Sequence, residues 1–258
     1  MRFDSPKNRL LICRETDITC TGGVVFIGDG HTGKTHTALN LAQYKKGHFY
    51  DTTDCTNLSK SVNLEFDYFI LYSNIEKYKV TISSQLFILP GQKGRSEIGE
   101  GLAFEDAVDM YRNVRSINDV VILIMTYNLA DVKSFQNLEY WLNRAIEHEL
   151  ISDLTSIILL GTHLDHGLFV TTNDSMIEEG KRYLLKSIED RIGIKIGSDR
   201  IHSVKISNTT REGLDNLQDT VLNSFFHSFE LIDYINSRDQ VAKIEQKIIN
   251  QENEDSFI

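Results

Sequence analysis

The octapeptide "GDGHTGKT", Gly28 to Thr35, fits the pattern G-x-x-x-x-G-K-[ST] between a strand-like run, "VVFI", and a helical stretch, "THTALNLAQY". Those residue types suit one task, wrapping a backbone around a phosphate chain. Backbone donors along Gly28, Asp29, Gly30, His31, Thr32 and Gly33, and at the helix start around Thr35 and His36, can converge on an anion with a favourable helix dipole behind them. Lys34 brings positive charge to the outer phosphates, and the Thr35 hydroxyl is of the kind that ligates magnesium. Gly30 leaves space beside a terminal phosphate, where an arginine from a partner can enter. A Gly-rich turn with a fortuitous lysine is the competing reading, and the flanking strand and helix both count against it.

Such a loop has to sit at the end of a buried strand. The runs "VVFI" at 24–27, "QLFIL" at 85–89, "VVILIM" at 120–125, "SIILL" at 156–160 and "IHSVKI" at 201–206 have the length and composition of buried strands. Polar segments with helical spacing lie between most of them. From Asp131 onward, Val132, Phe135, Leu138, Trp141, Leu142, Ala145 and Ile146 recur at steps of three and four, an amphipathic helix facing a sheet. The segment "NLEFDYFILYSNIEKYKVTISSQLFIL" instead joins two strand-like runs through "SNIEKY", a hairpin that makes one strand antiparallel. The expectation is an α/β fold: a mostly parallel six-stranded sheet with one antiparallel edge strand and helices on both faces.

With 258 residues, 41% hydrophobic and 25% charged, the chain is large enough for one sizeable core and a small appendage. A net charge of −10 disfavours nucleic acid and anionic membrane surfaces. Cys13, Cys20 and Cys55 lack metal-ligand spacing and read as reduced thiols. The apolar run Leu10–Cys13 is too short for a signal core or a membrane span, and neither end carries a lipidation motif. The expected location is the cytosol, with membrane contact only through partners. From about Phe229, Leu231, Ile235, Val241, Ile244 and Ile248 form a short helical stripe, read as a C-terminal helix packed on the domain or fraying, against a coiled-coil site. The expected organisation is therefore an extension over 1–21, a nucleotide-binding domain over 22–228, and a helical or flexible extension over 229–258.

A phosphate loop alone leaves kinases, ATPases and GTPases open. "IILLGTHLD", Ile157 to Asp165, is a strand running into a loop that ends in a carboxylate. Asp165 there can accept hydrogen bonds from N1–H and the 2-amino group of guanine, donors that adenine lacks. A solvated loop charge is the plain alternative.

At this point the sequence resembles the Ras superfamily of small GTPases. "YNLADVKSFQNLEYWL", Tyr127 to Leu142, is similar to the Rab and Ras segment that leaves the fourth strand, and "KISNTTREGLDNL", Lys205 to Leu217, resembles the guanine loop and its helix. Ser207, Asn208 and Thr209 stand in the matching places. "GTHLD" resembles the Thr-His-x-Asp form of Roc domains, which implies that Thr162 helps hold the loop, His163 lies along the base and Asp165 reads it. The resemblance covers roughly residues 22 to 228 and implies a P-loop G domain binding GTP and GDP with magnesium.

It also assigns two switches. "SVNLEF", Ser61 to Phe66, aligns with a first switch in which Ser61 ligates magnesium, although Thr52, Thr53 and Thr56 offer other hydroxyls. In "SSQLFILPGQKGR", the resemblance implies that Gly91 contacts the γ-phosphate through its N–H and that Gln92 orients the attacking water. Ile88 stands where an aspartate usually steadies the metal, a departure shared with bacterial polarity GTPases of the gliding-motility family. After Gln92 a glycine-bearing loop leads to a helix expected from about Ala103 to Arg115, and Arg95 is a candidate internal finger against a plain solvated arginine. The expectation is a slow GTP-hydrolysing switch, catalytically dependent on Gln92, Lys34 and Gly91, with a protein effector, an activator and an exchange factor. The alternative is a nucleotide-binding scaffold with little hydrolysis.

Overall fold

The computed structural model describes residues 2–4, 10–14, 16–43, 65–75, 77–92, 102–115 and 120–237. Eight strands form one sheet: β1 (Arg2–Asp4), β2 (Leu10–Arg14), β3 (Asp17–Ile27), β4 (Glu65–Ile75), β5 (Tyr78–Ile88), β6 (Val120–Asn128), β7 (Ser156–Thr162) and β8 (Ile201–Lys205). Six of them make the expected sheet in the order β4-β5-β3-β6-β7-β8. β5, β3, β6, β7 and β8 run parallel, and β4 is antiparallel to β5 from Glu65↔Ile88 to Ile75↔Tyr78.

The remaining two strands come from the N-terminal stretch. β3 begins at Asp17, and β2 pairs antiparallel with its first half, from Arg14↔Asp17 to Leu10↔Thr21. β6 takes over the same edge from Gly23, with a register shift between Gly23 and Val24. Gly22 marks the handover, since a Cβ there would lie 2.1 Å from Val121 Cγ2. Only glycine lets the incoming strand approach so closely.

Helices cover both faces. On one, α1 (Lys34–Gln43) and α6 (Leu214–Ser228) bury Ala38, Leu41, Leu217, Val221 and Phe225 against Val24, Phe26, Ile122 and Leu160. On the other, α2 (Phe104–Arg115), α4 (Leu138–Glu147) and α5 (Asp174–Ile192) bury Val108, Trp141, Leu142 and Ile188 against Val25, Leu123 and Leu159. Burial on both faces explains why β6 and β7 read as unbroken apolar runs.

The stripe from Asp131 forms two helices, α3 (Val132–Gln136) and α4, meeting at Asn137. Asp131 caps α3 by accepting from the Lys133 N–H. Residues 231–237 are helical, and Leu231 and Ile235 join the α1-side core. The rest of that stripe, Val241, Ile244 and Ile248, lies outside the described residues.

Candidate nucleotide-binding site

β3 delivers the chain to the phosphate loop and α1 receives it, as the motif requires. Gly28 has φ 139°, and a Cβ there would fall 2.1 Å from the Thr126 carbonyl oxygen, so only glycine fits. His31 takes φ 62°, a left-handed turn held by a non-glycine residue. The Lys34 side chain is 8% exposed and folds back over the loop, its Nζ donating to the Gly28 carbonyl at 2.9 Å and the Asp29 carbonyl at 2.7 Å. The Thr32 hydroxyl also donates to the Asp29 carbonyl, at 2.9 Å. Thr35 and His36 sit in the first turn of α1, half-buried at the positive end of the helix dipole.

The segment that follows β7 is tied to the loop between β3 and α1. Thr162 ends β7 fully buried, its hydroxyl 2.8 Å from the Thr32 carbonyl, 3.1 Å from the Tyr127 carbonyl and 2.9 Å from His163 Nδ1. His163 then turns left-handed at φ 61°, which starts the short 3-10 segment Leu164–Phe169 carrying Asp165. Asp165 and Ser207 meet: the Ser207 hydroxyl bonds the carboxylate and accepts from the N–H groups of Thr209 at 3.2 Å and Thr210 at 2.9 Å. Slight burial works against the charge on Asp165, but the Ser207 hydroxyl, its own backbone N–H, His166 and His163 together hold its carboxyl below the usual range.

Burial lowers the His163 pKa, and the neighbouring His166 and His36 reinforce that against the opposing Asp165. The His163 and His166 rings lie 5.2 Å apart, edge to face. The Asn208 side chain turns toward α1, bonding the Thr37 hydroxyl at 3.0 Å and Asn40 at 3.1 Å and approaching the Gly33 carbonyl at 3.4 Å. Thr209 stays exposed at the loop rim.

The chain at Gly91, just after β5, rests directly on the loop between β3 and α1. The Gly30 N–H donates to the Gly91 carbonyl at 2.8 Å. A Cβ on Gly91 would fall 2.5 Å from Asp29 C and Gly30 N and 2.6 Å from Lys34 Nζ, whereas one on Gly30 would meet only the Gly91 carbonyl oxygen at 3.8 Å. Gln92 is exposed beside this contact. Ile88 packs in the α1-side core, and its register partner across the hairpin is Glu65.

Ser61 and Arg95 lie outside the described residues, as do Thr52, Thr53 and Thr56. Among the described residues, no group of three or more His, Cys, Asp or Glu side chains is placed to hold a metal ion. A hydroxyl such as that of Thr35 is the kind of hard oxygen donor that a water-retaining cation takes.

One set of contacts at the loop is invisible in the sequence. Asp29 Oδ2 accepts from Asn137 Nδ2 at 2.6 Å, and Oδ1 accepts from Trp141 Nε1 at 2.7 Å. The lone tryptophan, one helical turn after Asn137, was the available signal; nothing linked it to a residue 112 positions earlier.

No family model matches the chain. The Ras-related protein RabK1 of Dictyostelium discoideum is 28% identical over 129 residues, which cover 48% of this chain and 55% of that relative. The chain thus spans about half the length of the curated relative it matches. The sheet order and the loop between β3 and α1 are in keeping with that likeness to a Ras-related protein. No helix among the described residues is long and apolar enough to cross a membrane.

Proposed function

We propose that this protein is a guanine-nucleotide switch that binds GTP and GDP with magnesium and hydrolyses GTP slowly. The observation that supports this reading best is the Thr162 hydroxyl, which ties the segment carrying Asp165 to the loop carrying Lys34. Lys34 and the loop N–H groups, among them Gly33, hold and orient the phosphates. Asp165 selects guanine, supported by Ser207 and Thr162, while His163 lies along the base as in the Roc-like form; Asn208 and Thr209 complete that loop. Thr35, with Ser61, would hold the metal, whose chemistry is to neutralise phosphate charge. Gln92 positions the attacking water, and Gly91 presents its N–H toward the γ-phosphate once its present contact with Gly30 is rearranged. That positioning needs no shifted pKa.

The G domain is proposed to span 22–228, with a Pro-Gly-Gln second switch of the bacterial polarity type. Gly30 leaves room for an activator's arginine, which would raise turnover roughly 10³- to 10⁵-fold. We further propose a cytosolic location, a protein effector and an exchange factor, and no nucleic-acid partner. Single-turnover GTP hydrolysis by the purified protein, with and without candidate activators, tests the reading. Turnover that falls to background in Gln92→Ala supports it; guanine-nucleotide binding with no turnover under any condition leaves only the scaffold alternative.

A further inference from the structure

Asp29 is gripped from two sides. Its carboxylate takes the Asn137 amide and the Trp141 indole N–H, donors one helical turn apart on the same rigid segment. Its carbonyl takes Lys34 Nζ at 2.7 Å, and the next N–H, that of Gly30, holds the Gly91 carbonyl at 2.8 Å. Any shift of this one peptide therefore moves the acceptor of the phosphate-binding lysine and the anchor of the second switch together.

Trp141 has a second neighbour. Its ring is fully buried and lies 5.7 Å from the ring of Phe104, the first residue of the helix that follows the second switch. One turn further along α4, the Arg144 guanidinium sits 5.6 Å over the same Phe104 ring and pairs with Glu105. The indole thus touches the phosphate loop with its N–H edge and lies, tilted by 45°, beside the Phe104 ring at the start of α2.

We propose that Trp141 is a positioning residue that couples the phosphate loop to the start of α2, so that both respond together to a γ-phosphate. This rests on the guanine-nucleotide reading above. Release of Gly91 from Gly30 removes one anchor of the Asp29–Gly30 peptide, which Lys34 and Thr32 still hold through the Asp29 carbonyl, and the resulting shift reaches Phe104 through the Trp141 indole. A charge-assisted hydrogen bond is directional, so it transmits displacement better than apolar packing alone. A Trp141 that merely filled the core would depend on its ring and be indifferent to its N–H.

The full chain has one tryptophan, so its emission reports on this residue alone. With magnesium present, emission should differ between the protein loaded with GDP and with a non-hydrolysable GTP analogue. Trp141→Phe keeps a ring against Phe104 and removes the donor; it should lower the preference for the GTP analogue over GDP by roughly three- to thirtyfold. Asp29→Asn should do the same and erase the emission difference, and the double variant should be no worse than the more affected single one. Should Trp141→Phe fail to fold, the emission difference in Asp29→Asn decides the matter. Identical emission in both loaded states, an unchanged preference in Trp141→Phe, or additive effects in the double variant would overturn the coupling. Wild-type protein that binds neither nucleotide would overturn the functional reading and the coupling with it.

Discussion

The Thr162 hydroxyl lies 2.8 Å from the Thr32 carbonyl oxygen, bridging the end of β7 to the middle of the phosphate loop. Two loops more than a hundred residues apart in sequence are thereby held in fixed relation. Thr162→Val keeps the shape and removes the hydroxyl, leaving the buried Thr32 carbonyl without that donor. Stability should fall by about 1–3 kcal/mol and guanine-nucleotide affinity with it. Thermal melts and fluorescent-nucleotide titration read both effects.

Gly91 and Gly30 should respond oppositely to alanine. At Gly91 a methyl collides with the Asp29–Gly30 backbone and the Lys34 amine; at Gly30 it meets only the Gly91 carbonyl oxygen at 3.8 Å. Gly91→Ala should displace the second switch and reduce single-turnover hydrolysis by at least about tenfold, while GDP binding survives. Gly30→Ala should leave the melting temperature nearly unchanged. A Gly91→Ala protein that hydrolyses normally would refute the docking role.

Asp165→Asn removes a charged acceptor and places an amide opposite the Ser207 hydroxyl. The affinity for GDP should drop roughly ten- to hundredfold, the worth of hydrogen bonds to a charged group, with discrimination against ATP declining in parallel. Competition between ATP and GTP for one site measures it. Tighter ATP binding by the wild type would show that Asp165 does not read guanine.

Protonation should weaken the fold on the acid side of neutrality. Burial lowers the His163 pKa from its ordinary 6.5, and burial also lowers those of His202 and His148. The unfolded chain then binds more protons than the folded one between the lowered value and 6.5. Stability is accordingly lost as pH falls through that window. His163→Asn, which tolerates the left-handed backbone, should flatten the melting temperature between about pH 7 and pH 5. An unaltered pH profile would remove His163 from the account.

Thr35→Ala tests the metal. Without an aspartate at Ile88, the Thr35 hydroxyl carries more of the proposed metal binding, so the magnesium-dependent part of GTP-analogue affinity should fall by roughly ten- to hundredfold. Titration with and without magnesium gives the comparison. Retained magnesium dependence would exclude the proposed ligand set.

Much of the site is legible in the sequence because local chemistry enforces it. Gly28 is demanded by a left-handed turn against Thr126, Lys34 follows at a fixed spacing, and Asp165 comes three residues after a strand that ends at Thr162. The strands are legible for a related reason: burial on both faces makes β6 and β7 continuous apolar runs. The split at Asn137 is not legible, since apolar spacing continues through it while the side chain is drawn to Asp29. Neither is the N-terminal hairpin on β3, because pairing there depends on which stretch of edge β6 leaves uncovered.

The sequence by itself determined the glycine-lysine loop at 28–35, the six-strand alternation, the carboxylate of Asp165 just after a strand and the isoleucine at position 88. Each is a matter of residue type and near-neighbour spacing, which the chain carries locally. Only the tertiary structure decided what Asp29 touches, where Gly91 rests and how Thr162 joins the loops. Those contacts join segments far apart in the chain near the ends of the strands, and hydrogen-bond geometry at 2.6–3.1 Å exists only after the strands have set their register.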